Sequence, residues 1–375
     1  MEQIKFSTTQ YLQDLAKLVN IDSGSNSPAG VAAVAEFFDQ KYREMGWQVT
    51  KQQFDSSVGP CLEITNQAAA QFDLLLLGHI DTVFPVGTAR ERPFTIKDGH
   101  AYGPGVNDMK AGVLLMYYAL RVLHTQAALG DKAICVALNS DEEIGSAFSR
   151  PWIEKLAQKS KYVFVLEPAR ANGALVKERK GVGRYQLEFT GVASHSGVDH
   201  QKGKSAINEL GHWIISLHGL TDYQLGTTVN VGLVSGGTAT NVVAEHAEAK
   251  VDLRITDMEE LQRVEATIRK LVEQPKTPGV KVHVTGGVQR PPMNAGDATE
   301  KLCALVEEIG KRVNVAVKWA KTGGGSDGNF SAALGIPTID GLGPIGGGSH
   351  SVDEYLVIES IEPRFKLLTE LIKRI

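Results

Sequence analysis

The sequence predicts an α/β fold interrupted by a smaller α+β insertion. Three observations carry that expectation. Strands of the buried type alternate with amphipathic helices over roughly the first 180 residues; the order becomes β-α-β-β-α-β between about 181 and 289; the first alternation then resumes to the end.

Thr8–Val19 sets Tyr11, Leu12, Leu15, Leu18 and Val19 on one helical stripe, and Pro28 opens a second helix to about Met45. Strands follow at Trp47–Phe54, Leu62–Thr65 and Leu74–His79, the last a continuous apolar run of the kind buried on both faces. Next come a helix from Met109 to about Leu129, a strand at Ala133–Asn139, a helix at Trp152–Gln158 and a strand at Tyr162–Leu166. In the insertion, Arg184–Thr190 alternates as a half-exposed strand. Helix Lys204–Leu217, strands Thr227–Val234 and Glu248–Ile255, helix Met258–Val272 and strand Val280–Thr285 complete the ferredoxin-like order. The tail reads as helix Ala298–Val313, strand Val315–Trp319, a glycine-rich loop, helix Asp327–Leu334, strand Pro337–Asp340 and helix Ile358–Ile375. The expected domains are 1–180 with 290–375, a mixed sheet flanked by helices, and 181–289.

Composition narrows the function. The 375 residues are 42% hydrophobic and 22% charged, values of an ordinary globular protein. The 39 Lys+Arg against 43 Asp+Glu leave no basic excess to neutralise phosphates, so nucleic acid is not an expected partner. Apolar runs such as Leu74–Leu77 fall far short of the ~20 residues that cross a membrane. The opening MEQIKFSTTQ lacks the apolar core of a secretory signal, and Cys61, Cys135 and Cys303 are scattered. A cytoplasmic protein with reduced thiols is expected.

Chemistry-bearing residues gather at the ends of the expected strands. His79 and Asp81 follow one strand with the two-residue spacing that puts both on one side, so the carboxylate can orient the imidazole. Tyr102-Gly-Pro-Gly-Val-Asn-Asp108 is a glycine-rich turn ending in an acid ahead of a long helix. It lacks the third glycine of a dinucleotide fingerprint, and no strand is expected directly before it. Asp108 there reads as a helix cap or a metal ligand. Asp141-Glu142-Glu143 follows another strand, and adjacent side chains point apart, which gives Glu142 and Glu143 separate tasks. Glu167 ends a further strand, and His350 lies in a glycine loop. In open α/β sheets the functional crevice lies at the carboxyl ends of the strands. His79, Asp108, Glu143, Glu167 and His350 form a nitrogen-and-oxygen set suited to Zn²⁺, with Mn²⁺ or Co²⁺ as substitutes. Three carboxylates and a hydroxide balance two divalent ions, and a bridging Asp108 would give each ion three protein ligands. The Gly323–Asp327 loop has no following Gly-Lys-Ser/Thr and is not a P-loop.

The stretches LLLLGHIDTVFPVG, YGPGVNDMKAG, NSDEEIGS, LEPA, GVASHSG, TGGGSD and GGGSHSVDEYL, in this order, resemble the aminoacylase / acetylornithine deacetylase / glutamate carboxypeptidase family of co-catalytic zinc hydrolases, and most of all its carboxypeptidase G-type members. The resemblance implies a discontinuous catalytic domain with an inserted lid and dimerisation domain, and hence a homodimer. It implies two zinc ions, one on His79 and Glu167, the other on Glu143 and His350, bridged by Asp108. Asp81 would orient His79, Glu142 would be the general base, and His195 would reach the partner subunit's site. It implies a cis Asp108–Met109 peptide. The expected substrate is a small peptide or N-acyl amino acid, cleaved at an amide beside a carboxylate-bearing residue. Arg290, which has a matching Arg-Pro in carboxypeptidase G-type relatives, and Arg254 are the expected carboxylate readers, with Asn241 adding an amide contact. An N-acyl-amino-acid deacylase of the acetylornithine or succinyl-diaminopimelate type, or an inactive metal-binding homologue, is the alternative.

Overall fold

The structure, a computed structural model, describes residues 5–375. The chain divides into two compact units: the chain up to Glu178 with Met293–Thr322 and Ser326–Ile375, and Arg179–Pro292 with Gly323–Gly325. The triple glycine of the tail thus groups with the inserted segment.

The first unit is built on β1 (Gln48–Gln52), β2 (Cys61–Thr65), β3 (Phe72–His79), β4 (Ile134–Asn139), β5 (Ser160–Val165) and a two-residue strand at Thr338–Ile339. Their order is β1-β2-β4-β3-β5-Thr338–Ile339. β1, β2 and β4 pair antiparallel; β4, β3, β5 and Thr338–Ile339 run parallel. Alternation along β3 sends Leu74 and Leu76 into one core, with helices Thr8–Val19, Pro28–Glu44, Ala111–Thr125 and Ile361–Arg374. It sends Leu75 and Leu77 into another, with Trp152, Ile153 and Leu156 of helix Arg150–Gln158. Helices on both faces explain why β3 reads as an unbroken apolar run.

Several elements depart from expectation. The helix expected from Met109 begins at Ala111, because Asp108 and Met109 adopt non-helical backbone angles. The strand expected at Val315–Trp319 lies at Trp319–Thr322. Val315 and Val317 instead pack on the helical core, Val317 against Gly310 of helix Asp297–Arg312. A strand at His100–Tyr102 does precede the Gly103–Gly105 turn, paired with Thr95–Lys97, and Leu175–Arg179 is a further strand. Thr95, Ile96 and Lys97 are all exposed, so no apolar pattern announces that hairpin.

The second unit carries β6 (Gly181–Thr190), β7 (Thr228–Gly236), β8 (His246–Ile255) and β9 (Lys281–Arg290) in the order β7-β8-β6-β9, antiparallel throughout. This is the ferredoxin-like arrangement. Helices Ala206–His218 and Met258–Glu273, capped by the Ser205 and Asp257 side chains, bury Trp213, Leu217, Val264 and Ile268 against Leu187, Phe189 and Leu253 of the sheet. β9 runs five residues beyond the expected Thr285. It passes Gly286, whose φ of 102° and approach to the Arg184 carbonyl leave no room for a side chain.

Candidate metal centre

Parallel strands deliver the site. His79 is in register with Asn139, and Leu77 with Val165, so β3, β4 and β5 end at one edge of the sheet. That edge gathers His79, the Asp141–Glu143 turn and Glu167. Asp108 arrives from the turn over Val106–Lys110, where the backbone N–H groups of Gly105, Asn107 and Asp108 donate to the buried Glu354 carboxylate at 2.8, 2.8 and 2.9 Å. The Asp108–Met109 peptide is cis. His350 comes from the glycine loop with φ 64°, in the left-handed region.

The two oxygens of Asp108 face different histidines. Oδ1 is 3.2 Å from His79 Nε2, and Oδ2 is 3.4 Å from His350 Nε2. His79 Nε2 is also 3.7 Å from Glu167 Oε1, and His350 Nε2 is 3.1 Å from Glu143 Oε2. The result is two His–carboxylate pairs sharing one Asp. Glu142 turns to the His79–Glu167 side, its ligand-type oxygen within 4.8 Å of theirs. Asp141, the third acid of that run, instead points inward and accepts N–H bonds from Phe148 and Ser149.

A buried carboxylate holds much of this together. Asp81 lies 3.3 Å from His79 Nδ1 and accepts from Ser25 Oγ at 2.6 Å and from the backbone N–H groups of Glu142 and Glu143 at 3.3 and 3.2 Å. His79 Nδ1 also lies 3.1 Å from the Asp81 backbone carbonyl, so this one residue borders the imidazole with both its main chain and its carboxylate and fixes the acids of the next turn.

The electrostatics call for positive charge. Burial and the neighbouring Asp108 push the Glu167 carboxyl well up, and burial raises Glu143. Burial works against a charged Asp108 as well, yet hydrogen bonds from His350 and His79 hold its carboxyl low. Burial disfavours a charged His79, but Asp108 and Asp81 raise its pKa well above the ordinary imidazole value. His350, bonded to Asp108 and Glu143, is pushed up to about 10. Carboxylates crowded this closely are stabilised by any cation among them, whether a proton or a metal ion. Glu143 Oε1 is buried without a hydrogen-bond partner among the described residues, as a ligand atom awaiting an ion would be. Two groups here have ligand atoms close enough together to hold an ion, His79 with Glu142 and Glu167, and His79 with Asp108 and Glu143, and His350 stands beside the second.

The remaining expected residues belong to the second unit. His195 is exposed, takes a bond from Gly197 N–H at Nδ1, and is bridged in antiparallel fashion to Val242, beside Asn241. Ser196 N–H donates to the Asn241 carbonyl, so these two loops form one cluster. Arg254 and Arg290 lie in register on either side of Val182. The fork of Arg254 is engaged by both oxygens of Asp252, at 2.8 and 3.0 Å, and its Nη1 reaches the Gly323 carbonyl. Arg290 is buried against Gly325, and Arg179 donates to the Gly324 carbonyl. Two of the expected readers therefore cluster with a third arginine around the triple glycine.

Glu354 and Ser25 went unassigned in the sequence. Both act through partners far along the chain, and Glu354 bonds only to backbone, which leaves no residue pattern. Its one signal was an acid just before the apolar Tyr355–Val357 strand.

The pattern of Peptidase family M20/M25/M40 matches residues 75–374. Carboxypeptidase G2 of Pseudomonas sp. (strain RS-16) is 31% identical over 370 residues, covering 96% of this chain and 88% of that protein. A succinyl-diaminopimelate desuccinylase of Paraburkholderia xenovorans (strain LB400) is 27% identical over 309 residues, 77% of this chain and 79% of that one. Among solved structures, a tripeptidase of Staphylococcus aureus subsp. aureus Mu50 has the same fold, with a TM-score of 0.81 at 23% identity and 98% of both chains covered.

Proposed function

Given that the chain belongs to peptidase family M20/M25/M40, whose members are metal-dependent hydrolases, we propose that it cleaves an amide beside a carboxylate-bearing residue in the manner of a glutamate carboxypeptidase. The observation that carries this reading is Asp108, one oxygen turned to each of two His–carboxylate pairs. Two divalent ions, zinc by the donor chemistry, would be held by His79 with Glu167 and by His350 with Glu143, with Asp108 between. When bound they supply Lewis acidity for the scissile carbonyl and lower the pKa of water. Glu142 takes the proton of the attacking water and hands it to the leaving amine. Asp81 keeps His79 in its ligand tautomer. His195, in a homodimer, stabilises the oxyanion in the partner subunit's site. Arg290, with Arg254 and Asn241 nearby in the second unit, reads the substrate carboxylate. A cytoplasmic location fits free thiols at Cys61, Cys135 and Cys303.

The test is a panel of N-acyl-glutamates, dipeptides and N-acetyl-ornithine with Zn²⁺, Mn²⁺ or Co²⁺ supplied. Glutamate-type amides should be cleaved fastest; N-acetyl-ornithine as the best substrate would make the protein a deacylase instead. Glu142→Gln should keep its ions by metal analysis and lose about 10²–10⁴-fold in kcat. Retained turnover would move the base elsewhere.

A further inference from the structure

Beside the metal centre, wholly within the first unit, lies a cavity of about 390 Å³ that includes Glu143 in its lining. Its walls are two loops. One, Gly24–Ser27, joins the first two helices; the other, Thr82–Val86, follows β3. They are fastened at both ends. Gly24 bridges Thr82, Ser25 N–H donates to the Thr82 carbonyl and Thr82 N–H to the Ser23 carbonyl. Farther out, the Asp22 carboxylate accepts from Gly87 and Ala89 N–H at 2.7 Å each. At Gly24 a Cβ would stand 2.3 Å from the Phe84 carbonyl oxygen, so the close approach requires glycine. Arg92 stacks its guanidinium 4.8 Å from the Phe84 ring and donates to the Ser351 and Val352 carbonyls, which ties this wall to the loop of His350.

The chemistry of the lining is one-sided. Val83, Phe84, Pro85 and Val86 make an apolar wall, with Val83 41% and Val86 72% exposed, so a ligand there removes apolar surface from water. Ser25, exposed Asn26 and Ser27 face it with uncharged hydrogen-bonding groups. Glu143 is the one ionisable side chain among these lining residues, and its charge is answered by His350 at 3.1 Å. A ligand carboxylate laid against the Val83–Val86 wall would give up its hydration to apolar side chains.

We propose that this groove is the subsite for the acyl half of the substrate, and that it selects an uncharged, extended apolar acyl group over both a short one and one ending in a carboxylate. The inference rests on the reaction proposed above and specifies its substrate class. An acetyl group reaches little of the Val83–Val86 wall; a longer alkyl chain lies along it. A succinyl group would bring its anion to the same place.

Three substrates that share the leaving amino acid isolate the groove: N-pentanoyl-, N-acetyl- and N-succinyl-glutamate, given to the zinc-loaded full-length protein. Pentanoyl should exceed acetyl by about tenfold or more in kcat/KM, and succinyl should fall at or below acetyl. Val86→Arg, at an exposed position that tolerates substitution, should reverse the pentanoyl-to-succinyl preference. Equal kcat/KM for pentanoyl and acetyl, or a Val86→Arg variant that changes all three in the same proportion, overturns the subsite. Calorimetric binding of the three compounds to zinc-loaded Glu142→Gln separates this inference from the reaction itself. Preferential pentanoyl binding without wild-type turnover keeps the groove and discards the reaction; equal binding discards the groove.

Discussion

The two units hold their candidate functional side chains in opposite ways. In the first, four of the five candidate ligands sit at the end of a buried strand or on a turn whose backbone is bonded elsewhere, His79 beside Asp81, Glu167 after β5, the Asp108 turn on Glu354 and the Glu143 turn on Asp81 again, and only His350 comes exposed from a loop. In the second, His195 and Asn241 are exposed on loops, and the His195 ring accepts from the Gly197 N–H two residues away. Metal ligation needs atoms fixed before the ion arrives, whereas a residue that meets a transition state gains from freedom to approach. The contrast teaches where changes should register: in metal content for the first unit, in turnover at constant metal content for the second.

The largest effect belongs to Asp108→Ala. It removes the oxygens facing both pairs, so metal analysis should show both ions lost and hydrolysis abolished; full occupancy in that variant would remove the shared-ligand assignment. His195→Ala should leave ion content and melting temperature at wild-type values and lower kcat by about 10²-fold. Mixed with Glu142→Gln, it should recover roughly a quarter of wild-type activity, since random exchange makes half the dimers mixed and each mixed dimer has one intact site. No recovery would return His195 to its own subunit or to the surface. The smallest effect is expected at Glu354. Glu354→Ala strips three buried N–H groups of their acceptor and should weaken metal binding about 10–100-fold, with Glu354→Gln restoring part of it because its amide oxygen still accepts. A lower melting temperature with unchanged metal affinity would make Glu354 a structural group alone.

Much of this was readable from the chain. Buried parallel strands and amphipathic helices carry their own periods, which is why β3, β4 and the β6–β9 order stand out. The meeting of His79, Glu143 and Glu167 was readable because strand ends converge in a parallel sheet. What escaped was held by backbone or by one-off packing. The Thr95–Lys97 hairpin strand is wholly exposed, Val315–Val317 docks by side chains without a ladder, and Glu354 bonds to N–H groups that any residue would offer. The engagement of Arg254 by Asp252 was equally hidden, although the two stand two residues apart on β8.

Asp81 has a mechanical consequence. Because one carboxylate lies against the imidazole of His79 and grips the backbone of both Glu142 and Glu143, these three are riveted to a common point. Thermal fluctuations of the strand end then carry the proposed base and the proposed ligands along together. A movement of that strand end that keeps these bonds keeps the spacing among the three.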